Sequence, residues 1–200
     1  MSRVPKRLKI FLAFIIIIAG GYLVSNLASS FSGQIPREFH EARLRGALIA
    51  EGIVNLSNRS AKDLENISEL ERNKKFSEAI KIISGAVEQN RNIRNEAIKL
   101  SGEIEKMTRT LSEIKSLEAR QAAIAAISDR LALITRLINY SGYLANLLDV
   151  LRGRFEGTLP YNGSKIQLLV DQINAEAREI NNFNTLAIEA MERFDEIMSK

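Results

Sequence analysis

Cysteine and tryptophan are absent from this 200-residue chain, and histidine occurs once, at His40. The lack of cysteine excludes a disulfide scaffold, thiolate metal sites and cysteine-based catalysis. With one histidine, a histidine metal site or a catalytic triad is a poor hypothesis. We therefore expect no enzymatic activity, no metal and no cofactor.

Turn-forming and aromatic residues are also few: three Pro, 11 Gly and 6% aromatics. So few turn-forming residues argue against a β-sandwich or barrel, which needs turn signals every ~8–12 residues. So few aromatic residues leave little surface on which nucleic-acid bases could stack. The net charge of +4 is carried by Arg3, Lys6, Arg7 and Lys9, because the remaining 24 Lys and Arg equal the 24 Asp and Glu. The body of the chain is therefore neutral, and we expect no nucleic-acid partner.

A charge-free stretch follows this basic tail, from residue 10 to residue 36, and its most apolar part is Ile10 to Val24. Extended by Leu27 and Ala28, it approaches the ~20 residues of a spanning helix. Positive charge before the span and none closely after it predicts a cytoplasmic N-terminus. The expected organisation is a cytoplasmic tail (1–9), a transmembrane signal anchor (10–28) in the lipid bilayer, a linker (29–35) and an extracytoplasmic body (36–200).

A cleavable signal peptide is the alternative for the same stretch. Ala28, Ser29 and Ser30 would form its small-residue cleavage site. Either interpretation exports the rest of the chain and predicts a protein of the cell envelope.

Beyond residue 36 the apolar residues recur at intervals of three and four, which is typical of amphipathic helices. The spans 36–72, 76–114, 116–155 and 164–199 are nearly equal in length. Their short connections favour an all-α, antiparallel up-down-up-down bundle. Glycines inside these helices are predicted to mark close helix contacts: Gly46, Gly52, Gly85, Gly102 and Gly142.

The junction between the second and third helices is ambiguous, because no Gly or Pro separates them. Thr110 and Ser116 are candidate caps that would allow a hairpin. The apolar spacing also continues through Leu111, Ile114 and Leu117, so one fused coiled-coil helix is the alternative. The buried stripe predicted for the third helix comprises Leu117, Ile124, Ile127, Leu131, Ile134, Ile138, Ser141, Ala145 and Leu148.

Four polar residues occupy positions of the stripes that should be apolar: Ser60, Asn90, Ser141 and Asn184. In a hairpin arrangement Ser60, Asn90 and Ser141 lie at similar depths in the bundle, and Asn184 lies somewhat deeper. They predict either an interior polar pocket or a polar layer that sets the helix register.

The end of the bundle away from the membrane is predicted to be rich in cations: Arg72, Lys74, Lys75, Arg152 and Arg154. These residues would contact an anionic partner, or would only offset the negative ends of two helices.

The layout of a span followed by long helices resembles the periplasmic four-helix sensor modules of bacterial chemoreceptors. It departs from them in showing no second span and no cytoplasmic signalling part. It also resembles LemA-type proteins in layout. Neither resemblance carries over a site residue. The leading hypothesis is a non-enzymatic interaction or scaffolding module with a protein partner in the envelope, homo-oligomers included. The alternative is a ligand-binding or accessory sensor domain that reports through a partner membrane protein.

Overall fold

The computed structural model of this chain describes residues 35–200, and the expected tail, the anchor and all but residue 35 of the linker lie outside them. Of the described residues, 89% are helical and none lies in a strand. The helices are α1 (Arg37–Arg72), α2 (Phe76–Arg109), α3 (Leu117–Phe155) and α4 (Gly163–Met198), with a 3-10 turn at Leu111–Glu113. The predicted all-α bundle of four long helices is confirmed for this part of the chain.

Each helix is 34 to 39 residues long, or about 50–60 Å at 1.5 Å per residue. The helices pack most extensively in chain order, α1 with α2, α2 with α3, and α3 with α4. We call the end that holds the α1–α2 and α3–α4 connections the tip, and the opposite end the base. Within residues 35–200, no helix has the length and apolar character needed to cross a membrane.

The α2–α3 junction is a hairpin, so the fused-helix alternative is wrong. The 3-10 turn follows Thr110, and Ile114 is extended and fully buried. Ser116 then caps α3, with its Oγ accepting a hydrogen bond from the Ala119 backbone N–H at 3.2 Å. The apolar spacing therefore does not mark a continuous helix: Leu111 and Ile114 pack against the core at the base, whereas Leu117 is exposed at the start of α3.

The core is formed by the inner faces of all four helices. Its most deeply buried members include Phe39, Ile83, Leu100, Leu148 and Phe194, each at most 1% exposed. Burial of a large apolar side chain contributes about 1.5–3 kcal/mol, which is the main source of stability in such a bundle.

At the base, α1 is joined to α4 by side chains. The rings of Phe39 and Phe194 lie 5.3 Å apart. Beside them, the Arg43 guanidinium donates two hydrogen bonds of 2.7 Å to the Asp195 carboxylate. Asp195 is therefore part of a largely buried ion pair.

The glycine prediction is wrong at four of its five positions. Only at Gly46 would a Cβ atom meet a neighbour, Leu100 Cδ1 at 3.4 Å. Gly52, Gly85, Gly102 and Gly142 have open space at the corresponding point. Close helix approach therefore does not explain them.

Candidate functional site

The outward surface of α3 departs most clearly from the predicted pattern. Leu117, Ile124, Leu131 and Ile138 were expected in the core stripe, but they are 64%, 48%, 46% and 38% exposed. Ile127, Ile134 and Leu148 of the same stripe are buried as expected. The stripe prediction is wrong for these four because α3 is apolar on two faces, and spacing alone does not say which face meets the bundle.

The four exposed residues recur every seventh position and so lie in one row along α3. We call them the α3 row. Small or uncharged residues lie next to the row and are exposed with it: Gln121, Ala125, Ser128, Thr135 and Gly142. The row and these residues form what we call the α3 outer face.

None of the residues that form the α3 outer face is charged. Charged side chains do lie along one border of the α3 outer face. There Arg136 approaches Glu176 of α4 at 3.6 Å, and Asn139 donates to the same carboxylate at 3.4 Å. Exposed apolar surface with a polar border is the pattern expected of a protein–protein contact site.

Each of the four polar core positions is buried: Ser60, Asn90, Ser141 and Asn184 are at most 4% exposed. The structure brings two of them together. Asn90 Nδ2 donates to the Ser141 backbone oxygen at 2.8 Å, and Ser141 Oγ donates to the Asn90 backbone oxygen at 3.4 Å. Ser60 Oγ has no hydrogen-bond partner among the described residues. The hydrogen-bonded pair joins α2 to α3.

A separate cavity of about 40 Å³ lies among the four helices and is open on one side. Most of its wall is apolar, and its polar lining residues are Ser57, Arg130, Tyr140, Asn181 and Asn184. Burial raises the pKa of the Tyr140 phenol, which keeps this wall neutral at that point. Of the predicted polar layer, Asn184 borders this cavity, whereas Ser60, Asn90 and Ser141 do not.

The five tip cations are mostly engaged by neighbouring groups. Arg154 pairs with Glu71 at 2.6 Å and lies 4.2 Å from the Tyr161 ring. Lys75 pairs with Glu78 at 3.2 Å. The longer contacts, both 3.4 Å, join Arg72 to the Ser68 carbonyl oxygen and Arg152 to Ser84 Oγ. These contacts are those of helix ends and surface ion pairs, so the anionic partner stays a prediction.

Lys74 adopts a left-handed backbone conformation with φ of 58° just after α1. Its N–H bonds the Glu71 oxygen, and the Lys75 N–H bonds the Leu70 oxygen, which is the Schellman pattern of a helix end. At the end of α3 the corresponding position is Gly157, with φ of 74°. Lysine is disfavoured in this conformation relative to glycine, and nothing in the local fold requires its charge.

Two carboxylates that form ion pairs in the bundle were not predicted from the sequence: Glu103 and Asp195. Burial opposes ionisation of Glu103, but hydrogen bonds from Lys106 at 2.7 Å and Arg45 at 2.9 Å outweigh it, so the pKa of Glu103 lies below its ordinary value. The pairing of Arg43 with Asp195 was also missed. The positions of these two residues in the sequence could have indicated the ion pair, because each directly follows a buried residue. Arg43 follows Ala42, and Asp195 follows Phe194.

Within residues 35–200, no group of three or more His, Asp and Glu side chains is arranged to hold a metal ion. Comparison with protein-family models, curated proteins and solved structures finds no match to this chain. Within residues 35–200, the features that bear on function are the α3 outer face, the cavity and the tip.

Proposed function

We propose that this chain is a single-pass membrane-anchored protein of the cell envelope, whose helical bundle is a non-enzymatic interaction module that binds its partner through the α3 outer face. The α3 row carries the proposal. A bundle that worked alone would place charged residues at these exposed positions, as α2 does with Lys81, Glu88, Arg91 and Lys99.

The anchoring part of the proposal is supported by the sequence of residues 10–28 and by the basic residues before it. The full chain should sediment with membranes and resist carbonate extraction. Its C-terminus should be accessible only from outside the cytoplasm. Release of the intact chain by carbonate would contradict the anchor.

Site-specific photocrosslinking in the full, membrane-bound chain tests the interaction. A photoreactive amino acid at Ser128, on the α3 outer face, should form protein adducts, whereas the same group at Asn95, exposed on α2, should not. Leu131→Lys should abolish the Ser128 adducts, because an apolar contact at this position would remove water from the charged lysine, which costs free energy. Ile98→Lys on α2 is the matched control, since Ile98 is 56% exposed. Equal adducts from both faces would overturn the proposal.

A ligand-binding module is the second candidate, and the cavity is the observation that favours it. Its apolar wall with a few polar groups fits a small, mainly apolar molecule. Propanol and propanoate are suitable probes, because the cavity has room for about three groups of the size of water. Either should raise the melting temperature of the chain, and Ala177→Leu, which fills part of the cavity, should remove that effect. If neither probe changed the melting temperature, the cavity would not be a binding site for small apolar molecules.

A further inference from the structure

We infer that the partner of the α3 outer face is a second copy of this chain, bound by the same face with the two α3 helices parallel and in register. This inference rests on the proposed function above. It names the partner that binds the α3 outer face. Crosslinking distinguishes a failure of this inference from a failure of the proposed function.

The shape of the face favours another α3. Seven-residue spacing places the α3 row at one position of a coiled-coil seam. The other seam position, four residues further on, holds Gln121, Ser128, Thr135 and Gly142, which are polar or small. Leu or Ile of the row would therefore contact the same residue of the second copy across a two-fold axis, and the small residues would let the helices approach closely.

Charge is compatible with self-association. None of the residues that form the α3 outer face is charged, so two copies bring no like charges together within it. The chain beyond residue 36 holds 24 basic and 24 acidic residues, so its long-range repulsion is small. A charge-free face gives a nucleic acid or a strongly charged peptide nothing to pair with.

The membrane sets the direction. The described chain begins at the base, where α3 also begins, and 34 residues precede it. Two copies anchored through that segment in one membrane point the same way, so their α3 helices can meet only in parallel. The face, from Leu117 to Gly142, is about 38 Å long and 10 Å wide. Two copies would thus bury on the order of 800 Å² in total, the size of a weak interface, which a shared membrane assists through effective concentration.

Cysteine crosslinking in native membranes tests this directly, because the chain contains no cysteine. Single variants Gln121→Cys, Ser128→Cys, Thr135→Cys and Gly142→Cys should each form a disulfide-linked dimer under mild oxidation, since each residue faces its own copy. Disulfides require Cα atoms within about 7 Å. Asn95→Cys on α2 is the matched control and should remain monomeric. Adding Leu131→Lys should reduce the Ser128→Cys dimer about tenfold, whereas adding Ile98→Lys should leave it unchanged.

The outcomes are separable. Crosslinking at all four α3 positions and not at Asn95 supports the inference. Crosslinking confined to Ser128 would indicate antiparallel helices and would overturn it. If no position crosslinks, but photoreactive Ser128 yields an adduct with a different protein that Leu131→Lys abolishes, the self-association is wrong and the proposed function stands. If neither method detects a contact, both fail.

Discussion

The exposed faces of α2 and α3 differ although the two helices occupy equivalent places in the bundle. Each packs against its neighbours in the chain on both sides. On α2, charged residues are exposed along most of the helix, among them Lys81, Glu88, Arg91, Arg94 and Lys99. On α3, the corresponding surface carries the α3 row, and none of the residues of the α3 outer face is charged.

The comparison shows that the fold does not require the α3 row to be apolar. The inner face of α3 already supplies the core with Ala123, Ile134, Leu144 and Leu148, each at most 5% exposed. The exposed parts of the Leu and Ile side chains of the α3 row do not pack within the monomer, and they favour aggregation unless another surface covers them. A second role for the α3 outer face is the physical reason to retain them.

The largest expected effect tests whether α3 has the inner and outer faces described. Ile134→Asp should abolish the fold, because an unpaired buried carboxylate costs several kcal/mol. Leu131→Asp, three residues earlier, should leave the monomer as stable to within about 0.5 kcal/mol, since Leu131 is exposed. Thermal unfolding followed by circular dichroism at low concentration distinguishes them. Similar losses in both variants would invalidate the face assignment and with it the contrast to α2.

The next effect concerns the contact that fixes α2 against α3. Asn90→Ala should lower the free energy of unfolding by about 1–3 kcal/mol, because the buried hydrogen bond to the Ser141 oxygen is lost. Ser60→Ala should be neutral or stabilising, since Ser60 Oγ has no partner among the described residues. Denaturant unfolding of the two variants measures both. A larger loss at Ser60 than at Asn90 would refute this account of the polar layer.

A smaller effect should appear in the concentration dependence of stability. Association that involves only the folded chain makes its melting temperature rise with protein concentration. The double variant Ile124→Lys with Leu131→Lys should remove this rise, and Ile98→Lys on α2 should keep it. Differential scanning calorimetry over a hundredfold concentration range is the measurement. If the melting temperature of the wild-type chain did not depend on concentration, the folded chain would not self-associate. The contrast between the exposed faces of α2 and α3 would then have no support from stability.

The smallest effects are pH-dependent and have opposite signs on the two helices. On α2, Lys106 and Arg45 lower the pKa of Glu103 despite its burial. Its contribution to stability is therefore present above the unfolded pKa, ~4.3, and is lost as the pH falls through the folded value. Glu103→Gln should lower the melting temperature at pH 7, and less so near pH 3.

On α3, burial alone raises the pKa of Asp129. The folded state then disfavours the ionised form, so Asp129 weakens stability above its folded pKa and has no such effect below the unfolded value, ~3.9. Asp129→Asn should raise the melting temperature at pH 7 and leave it unchanged near pH 3. If both helices showed the same sign, the local partners described for Glu103 would not be responsible.

Much of the architecture follows from the sequence alone. Periodicity placed α1 and α4 within about a residue of their observed ends, because each has one dominant apolar stripe and clear breaks around it. The end of α2 was set five residues too late, at 114 instead of Arg109. Leu111 and Ile114 keep the apolar spacing while serving as buried turn residues.

The sequence determined that the described chain is a set of long amphipathic helices, since composition and spacing act within each helix. Packing between helices decided the rest. Only the folded bundle shows that the α3 row faces outward, that Asn90 meets Ser141 while Asn184 borders a cavity, and that Arg43 pairs with Asp195 across 152 positions. An apolar residue on a helix with two apolar faces satisfies the same spacing rule whether it is buried or exposed. Its environment depends on how neighbouring helices rotate to fill the core, which local sequence does not specify.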